Sequence, residues 1–302
     1  MAPPPHPEFL LRVRQFFHAL LFVALAVLAL KAFAGAFAAV FPQAFQGEIP
    51  TPGLGIPLYL VSNIIVLALS AAMLHLLDRR SFRALGLWLY PGWRRETLAG
   101  IGIGFALIVL TVVLVVTSGA FRYSGPAARA TALDWLGIAL LLVVAAAIEE
   151  LLCRGYAFQR LCDSIGPTGA VLITSAVFGG LHLRNPNHPG WLSTANTVLA
   201  GVLLAAAYLK TRGLWLPIAL HWSWNFFQGP VFSSNVSGIV IQPRLFQAEA
   251  LAPAWLSGGA YGLEASGALT VTCAAAIAWL WTTRTIGTTP AMLAVSKRTE
   301  SA

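Results

Sequence analysis

The chain has 302 residues, of which 58% are hydrophobic and only 10% are charged, and its mean hydropathy is +0.75. Soluble domains carry roughly a quarter charged residues, so this composition excludes a soluble globular protein and indicates a polytopic membrane protein. The net charge of +8 does not indicate a nucleic-acid partner, because the basic residues cluster in short loops beside apolar runs, as a membrane orientation signal requires.

A membrane-spanning helix needs about 20 mainly apolar residues. On that criterion the sequence predicts an all-α polytopic membrane protein, a bundle of about eight transmembrane helices with its active site inside the bundle. A single transmembrane domain is predicted over 14–284, after a disordered polar lead at 1–13 and before a cytoplasmic tail at 285–302. The predicted helices cover residues 14–38, 57–77, 97–119, 133–158, 168–184, 195–210, 213–230 and 266–284.

The orientation of these spans follows from the basic residues between them. With both termini inside, thirteen lysines and arginines fall on the inner side and five on the outer side. The positive-inside rule therefore predicts that both termini are cytoplasmic. We expect a multi-pass protein of a bacterial-type plasma membrane, surrounded by the lipid bilayer.

Two connections in this chain are long. The segment 78–96 joins five arginines to aromatic residues and is predicted to be a topology-setting loop in the headgroup layer. The segment 231–265 is rich in Ser, Gly, Pro and Ala. It fits either a lid over an outer opening or a plain connection, and we favour the connection.

Small residues predict where helices pack closely. Gly100 and Gly104 have helix-packing spacing, and so do Gly201 and Ala205. The three cysteines form no CxxC pair and are predicted to be small apolar packing groups.

Three ionisable residues interrupt the apolar run from 135 to 158: Glu149, Glu150 and Arg154. An ionised side chain at the middle of a membrane helix costs roughly 3 kcal/mol on insertion scales. Glu150 and Arg154 are four residues apart in the favourable order for a helical pair, whereas Glu149 points about 100° away. The trio fits either a buried ion-pair lock between helices or a site in which Glu149 is free for chemistry.

Two other predicted helices contain polar groups as well. Phe178 and His182 share one helical face, and His221 and Asn225 share another. Polar groups on three helices favour one convergent site over three independent accidents. Pro217 lacks a backbone donor four residues before His221, which predicts a bend near that site.

The polar residues in the predicted spans favour one class of reaction, hydrolysis by an activated water. No serine or cysteine in the predicted spans is visibly placed as a nucleophile beside a base. A carboxylate in an apolar pocket is suited to take a proton from water, and His221 and Asn225 are suited to hold the oxyanion that forms. Alternatively, Glu149, His182 and His221 bind Zn²⁺, since two histidines and a carboxylate form a known catalytic zinc set.

At these residues the chain resembles the CPBP family of intramembrane proteases. That family includes type II CAAX-processing endopeptidases and Abi-like bacteriocin-processing or immunity proteins. The resemblance covers about 145–228. Its motifs read Glu149-Glu150-Leu-Leu-Cys-Arg154-Gly155, Phe178-Gly-Gly-Leu-His182 and His221-Trp-Ser-Trp-Asn225.

The resemblance implies a role for each motif residue. Glu149 is expected to activate water, supported by Glu150 with Arg154, and His182 to be a second site residue beside it. His221 and Asn225 are expected to bind the oxyanion or the substrate carbonyl. Because the family is often labelled metalloprotease, the resemblance leaves Zn²⁺ open.

The predicted function is hydrolysis of a peptide bond in a membrane-associated peptide or protein, without a nucleic-acid partner. One alternative is a non-catalytic immunity or partner-binding membrane protein that keeps the motif as an ion-pair lock. Another is a proton-coupled transporter, which the absence of repeated halves disfavours. Straight helices with a rise of 1.5 Å per residue leave Glu149 and His182 roughly 15 Å apart in depth, a discrepancy in the single-site prediction.

Overall fold

The computed structural model of the protein describes residues 7–45 and 50–297. These residues form a helical bundle with one small antiparallel sheet. The helices are α1 (Pro7–Val40), α2 (Pro52–Leu76), α3 (Trp93–Thr117), α4 (Ala132–Arg154), α5 (Tyr156–Leu181), α6 (Trp191–Thr211), α7 (Trp215–Phe226), α8 (Ala254–Ser257), α9 (Gly267–Thr282) and α10 (Pro290–Lys297). The strands are β1 (Phe121–Pro126) and β2 (Phe246–Ala250), which pair with each other.

The helical membrane class is confirmed, but the number of spans differs from the prediction. Each of the eight predicted helices has a counterpart, and within the described residues five segments are long and apolar enough to cross a membrane. The stretch 132–184, which contains α4 and α5, is one of those five. Helix α7 has 12 residues and α9 has 16, both shorter than the about 20 that a span needs.

The first helix begins earlier than the sequence predicted. Helix α1 begins at Pro7, so residues 7–13 are helical rather than disordered, and proline is well tolerated in the first helical turn, where its missing N–H is not needed. Residues 1–6 of the predicted lead lie outside the described residues. The predicted tail contains α10, and its residues 298–302 are likewise not described.

The connection 78–96 is anchored in the bundle at its first residue. The Asp78 carboxylate is buried and pairs with His18 Nδ1 at 3.0 Å and with Arg160 Nη1 at 3.4 Å. Arg160 Nη1 also donates to Gln15 Oε1 at 3.0 Å. These contacts join α1, the start of the connection and α5, so this end of the segment is packed protein rather than a strip in the headgroup layer.

The path from α4 to the end of α5 bends twice. At Gly155 the chain turns so tightly that a Cβ atom would lie 2.2 Å from the Leu151 carbonyl oxygen. At Gly166 the helix is interrupted by a residue with φ of +83°, a conformation that favours glycine. Depths counted along straight helices therefore do not apply here, which removes the apparent separation of Glu149 from His182.

Helix α7 is held close to α3 by two glycines. A Cβ atom at Gly100 would lie 2.5 Å from the Leu216 carbonyl oxygen, and one at Gly104 would lie 2.6 Å from that of Leu220. Ser223 Oγ on α7 donates to the Ile101 carbonyl at 2.8 Å. The close packing predicted for the two glycines is confirmed, and it fixes the helix that contains His221 and Asn225.

The described residues form three apolar clusters, of which two are large. One includes Phe22 of α1, Val66 of α2 and Phe158 of α5. The other includes Ile108 of α3 and Leu220 of α7. Many large apolar side chains on the outer helix faces remain exposed, as expected for surfaces that contact lipid.

The segment 231–265 is folded and does not match the plain connection that we favoured. It contains β2, which pairs with β1, and the helix α8. Tyr123 Oη on β1 donates to the Phe232 carbonyl at 3.0 Å. The segment is thereby fixed to the α3–α4 connection.

Replacing Gly104 with alanine is expected to destabilise the bundle. The added methyl group would lie 2.6 Å from a backbone oxygen of α7. Overpacking costs about 1–3 kcal/mol, generally more than the roughly 1 kcal/mol that alanine gains over glycine within a helix. Gly102→Ala is the matched control, because a methyl group there meets nothing within 4 Å. Equal unfolding midpoints in SDS for the two variants would contradict this packing.

Candidate active site

The site is built around a buried ion pair on α4. The Glu150 and Arg154 side chains are both 0% exposed, and Arg154 Nη1 donates to Glu150 Oε1 at 3.1 Å. Arg154 Nη2 donates to the Gly201 carbonyl of α6 at 2.9 Å. The guanidinium carbon lies 4.8 Å from the centre of the Phe178 ring on α5, within the range of a cation–π contact. The ion pair therefore joins three helices.

Helix α4 is positioned for this contact by its two ends. At its start, the Thr131 hydroxyl accepts from the Asp134 backbone, and the Asp134 side chain accepts from the Thr131 backbone. This capping box satisfies two donors that the first helical turn leaves unpaired. At its end, the Gly155 turn lets α5 begin directly after Arg154.

His221 connects the ion pair to Glu149. Its Nδ1 lies 2.8 Å from Glu150 Oε1, and its Nε2 lies 3.8 Å from Glu149 Oε2. Because an ionised carboxylate only accepts, Nδ1 is the protonated nitrogen when Glu150 is charged, and Nε2 faces Glu149. The geometry thus links both carboxylates to one imidazole.

The two neighbouring glutamates have different surroundings. Glu150 is fully buried, whereas 41% of the Glu149 side chain is exposed. The Oε2 atoms of both glutamates are buried and accept no hydrogen bond from the described residues. The two side chains differ at Glu150 Oε1, which Arg154 and His221 hold. Glu150 is therefore held by protein donors, while Glu149 keeps acceptor capacity for a molecule in the cavity.

His182 lies at the end of α5. Its Nδ1 is 2.7 Å from the Phe178 carbonyl oxygen. Because a carbonyl only accepts, Nδ1 is the donor, and Nε2 is the unprotonated nitrogen of the neutral ring. The Phe178 ring centre is 4.6 Å from that of His182 and 6.0 Å from that of His221. Phe178 therefore packs against both imidazoles.

Four of the six predicted site residues line one cavity of about 360 Å³, a size typical of small-ligand pockets. They are Glu149, His182, His221 and Asn225. Glu150 and Arg154 do not line it, and they contact its wall through His221 and Phe178. The sequence pattern thus predicted a group of residues that the fold does bring together.

The predicted bend at Pro217 was wrong. Pro217 is the third residue of α7, which begins at Trp215. A proline in the first turn removes a backbone donor that has no partner within the helix, so the helix stays regular. The cavity is therefore not opened by a break at this position.

The residues present do not form a metal site of the predicted kind. Across 7–45 and 50–297, no three His, Cys, Asp or Glu side chains are grouped so that they could hold a metal ion. The set Glu149, His182 and His221 does not fit three-ligand zinc coordination in this geometry.

Sequence reasoning missed one of the two carboxylates that line the cavity. Glu264 lines the same cavity and is only 6% exposed. It lies in the segment 231–265, beside the last predicted membrane helix. The sequence did contain a signal for this residue, because a carboxylate lies just before the apolar run 266–284.

Comparison with known proteins agrees with this geometry. Residues 131–227 match the family model "Type II CAAX prenyl endopeptidase Rce1-like". The match covers 97 of the 302 residues, and over this segment the chain is similar to the CAAX-protease family. The match runs from the capping residue of α4 to the residue after α7, so it includes all six predicted site residues.

This result confirms the resemblance inferred from the three motifs. At the level of the family, it supports a CAAX-type intramembrane endopeptidase. No curated protein and no solved structure matched the chain. Residues 1–130 and 228–302, including Glu264, lie outside the CAAX-protease match.

Arg154→Met is expected to destabilise the protein by about 3–5 kcal/mol, because it leaves the buried Glu150 charge without its main partner. Arg122→Met is the control: Arg122 pairs with Glu249 at 3.1 Å, but these side chains are 64% and 60% exposed. Such a surface pair contributes about 0–1 kcal/mol. SDS unfolding of both purified variants measures the difference, and similar losses would show that the buried pair is not a structural lock.

Proposed function

We propose that this protein is an intramembrane endopeptidase in which Glu149 activates water to hydrolyse a peptide bond of a membrane-associated peptide or protein. The observation that supports this most strongly is the different use of two adjacent carboxylates. Glu150 is fully buried and held by Arg154 and His221, while Glu149 lines the cavity with 41% of its side chain exposed. An ion-pair lock alone requires only Glu150.

The proposed reaction begins with proton transfer from water to Glu149 as the water oxygen bonds to the substrate carbonyl carbon. The carbonyl π electrons move onto oxygen. Asn225 donates to this oxyanion, and His221 Nε2 also donates when its ring is doubly protonated. Glu149 then returns the proton to the amide nitrogen as the C–N bond breaks, which yields a carboxyl group and an amine.

His182 has a supporting place in this mechanism. Its Nδ1 is committed to the Phe178 carbonyl, so its Nε2 is the nitrogen available to the cavity. We assign it to accept a hydrogen bond from the attacking water or from the substrate amide. Glu150 and Arg154 act through His221 and the helix positions rather than by touching substrate.

We further propose that the site lies inside a bundle of membrane-crossing helices in the plasma membrane, with both termini cytoplasmic. The Gly155 turn supports counting α4 and α5 as separate crossings. The distribution of thirteen basic residues inside against five outside supports the orientation. For the substrate, the proposal extends to membrane-associated peptides and proteins and does not require a prenyl group.

Glu149→Gln is expected to reduce cleavage by about 10²–10⁴-fold, the usual contribution of a general base. Folding should be unchanged, because Glu149 Oε2 accepts no hydrogen bond from the described residues. The measurement compares peptides released from membranes of cells that contain wild type, Glu149→Gln or the surface control Glu249→Gln. A peptide profile unaffected by Glu149→Gln would overturn the proposal and favour a non-catalytic partner-binding protein.

Chelation is expected to leave cleavage unchanged, since the proposed steps need only Glu149, water and hydrogen-bond donors. The purified protein would be dialysed against 1,10-phenanthroline and tested on a peptide found by that comparison. Activity lost on chelation and restored by Zn²⁺ would contradict the metal-free steps while keeping the protease assignment.

A further inference from the structure

A tight turn in the segment 231–265 forms part of the cavity wall. Val236 and Ile239 exchange backbone hydrogen bonds of 3.0 and 2.9 Å. Between them, Ser237 and Gly238 have positive φ values of 48° and 85°. Positive φ at both central residues is the signature of a type I′ hairpin turn. We refer to residues 236–239 as the cavity turn.

The cavity turn is adjacent to the proposed catalytic residues. Val236, Ser237 and Ile239 line the cavity that Glu149 and His182 also line. Val236 further belongs to an apolar cluster with residues 138, 141 and 142 of α4. Movement of this turn would therefore change the cavity's shape directly.

Two asparagines hold one side of the turn. Asn185 Nδ2 donates to the Ser237 carbonyl at 3.1 Å, and Asn187 Nδ2 donates to the Gly238 carbonyl at 3.0 Å. Both asparagines follow His182 closely in the chain. The turn is thus tied to the segment that leaves the proposed site.

Glu264 holds the other side of the turn. Its carboxylate accepts hydrogen bonds from the Ser237 backbone N–H and from Ser237 Oγ, the latter at 3.1 Å. The Tyr261 carbonyl accepts from Gly238 N at 2.7 Å. Glu264 is therefore the carboxyl group in a set of contacts whose other members are amide side chains and backbone groups.

The burial of Glu264 indicates a specific role. Burial raises the pKa of the Glu264 carboxyl, and the hydrogen bonds from Ser237 and Gln228 and the nearby His182 oppose that rise. Tyr261 is the other titratable group that interacts with it. Burying a carboxylate beside a cavity costs free energy unless hydrogen bonds compensate for the lost hydration.

We propose that Glu264 is a positioning residue that fixes the cavity turn as a wall of the proposed active site, so that releasing this contact widens the cavity and changes substrate binding. Its effect on cleavage rests on the proposed function. Its effect on the shape of the cavity does not.

Cysteine labelling tests the structural part without any substrate. Cys153 lines the cavity, so after Cys162→Ala and Cys273→Ala its modification by N-ethylmaleimide, followed by mass spectrometry, reports access to the cavity. Glu264→Ala in this background is expected to label about fivefold to tenfold faster, the change that corresponds to one or two typical hydrogen bonds. An unchanged rate in a folded variant would overturn the proposal.

Matched variants show whether faster labelling results from lost hydrogen bonds, from lost charge or from misfolding. Glu264→Gln keeps an oxygen that accepts from Ser237, so it should label close to the parent rate. Glu249→Ala removes a surface carboxylate and should have no effect. If Glu264→Ala does not fold, Asn187→Ala releases the other side of the turn and should speed labelling by a few-fold; parent-like rates for it would then count against the proposal.

The effect of Glu264 on cleavage is tested by kinetic measurements. The substrate is a peptide found by comparing wild type with Glu149→Gln. Glu264→Ala is expected to change KM several-fold while kcat stays within about twofold, the pattern of altered binding rather than altered chemistry. A loss of kcat with unchanged Cys153 labelling would overturn the positioning role. If no cleavage is found at all, the proposed function fails, and the labelling result still decides whether Glu264 holds the turn.

Discussion

The buried contact between Glu150 and Arg154 is the constraint on which the rest of the site depends. Two charges removed from water need several partners before their burial is tolerable. Here the partners are supplied by neighbouring helices: the Gly201 carbonyl of α6, the Phe178 ring of α5 and the His221 imidazole of α7. Satisfying one ion pair therefore fixes the relative positions of four helices, and those helices form most of the cavity.

Adjacent residues on a helix point about 100° apart. The two neighbouring glutamates therefore face different surroundings and have different roles. Glu150 faces protein, where Arg154 and His221 hold its Oε1, whereas Glu149 faces the cavity. His221 contacts both. Any change in the charge of the buried pair is thus felt at the exposed carboxylate through one ring, without movement of the backbone.

Local patterns predicted the helices and the six motif residues, because helical spacing places residues four apart on one face. Features that depend on distant contacts were not predictable in this way. Glu264 acquires its role from Ser237, 27 residues earlier in the chain, and the double bend at Gly155 and Gly166 is not visible in hydropathy. Pro217 was misjudged because its effect depends on where the helix starts, which a hydrophobic pattern locates only to within a few residues.

The asparagine contacts to the cavity turn have a consequence for hydration. Buried backbone carbonyls must be satisfied by protein or by water within a cavity, and asparagine side chains satisfy those of Ser237 and Gly238. If the turn moves, those carbonyls lose their donors, and only incoming water can replace them. Opening of the turn would therefore be thermodynamically coupled to hydration of these two carbonyls.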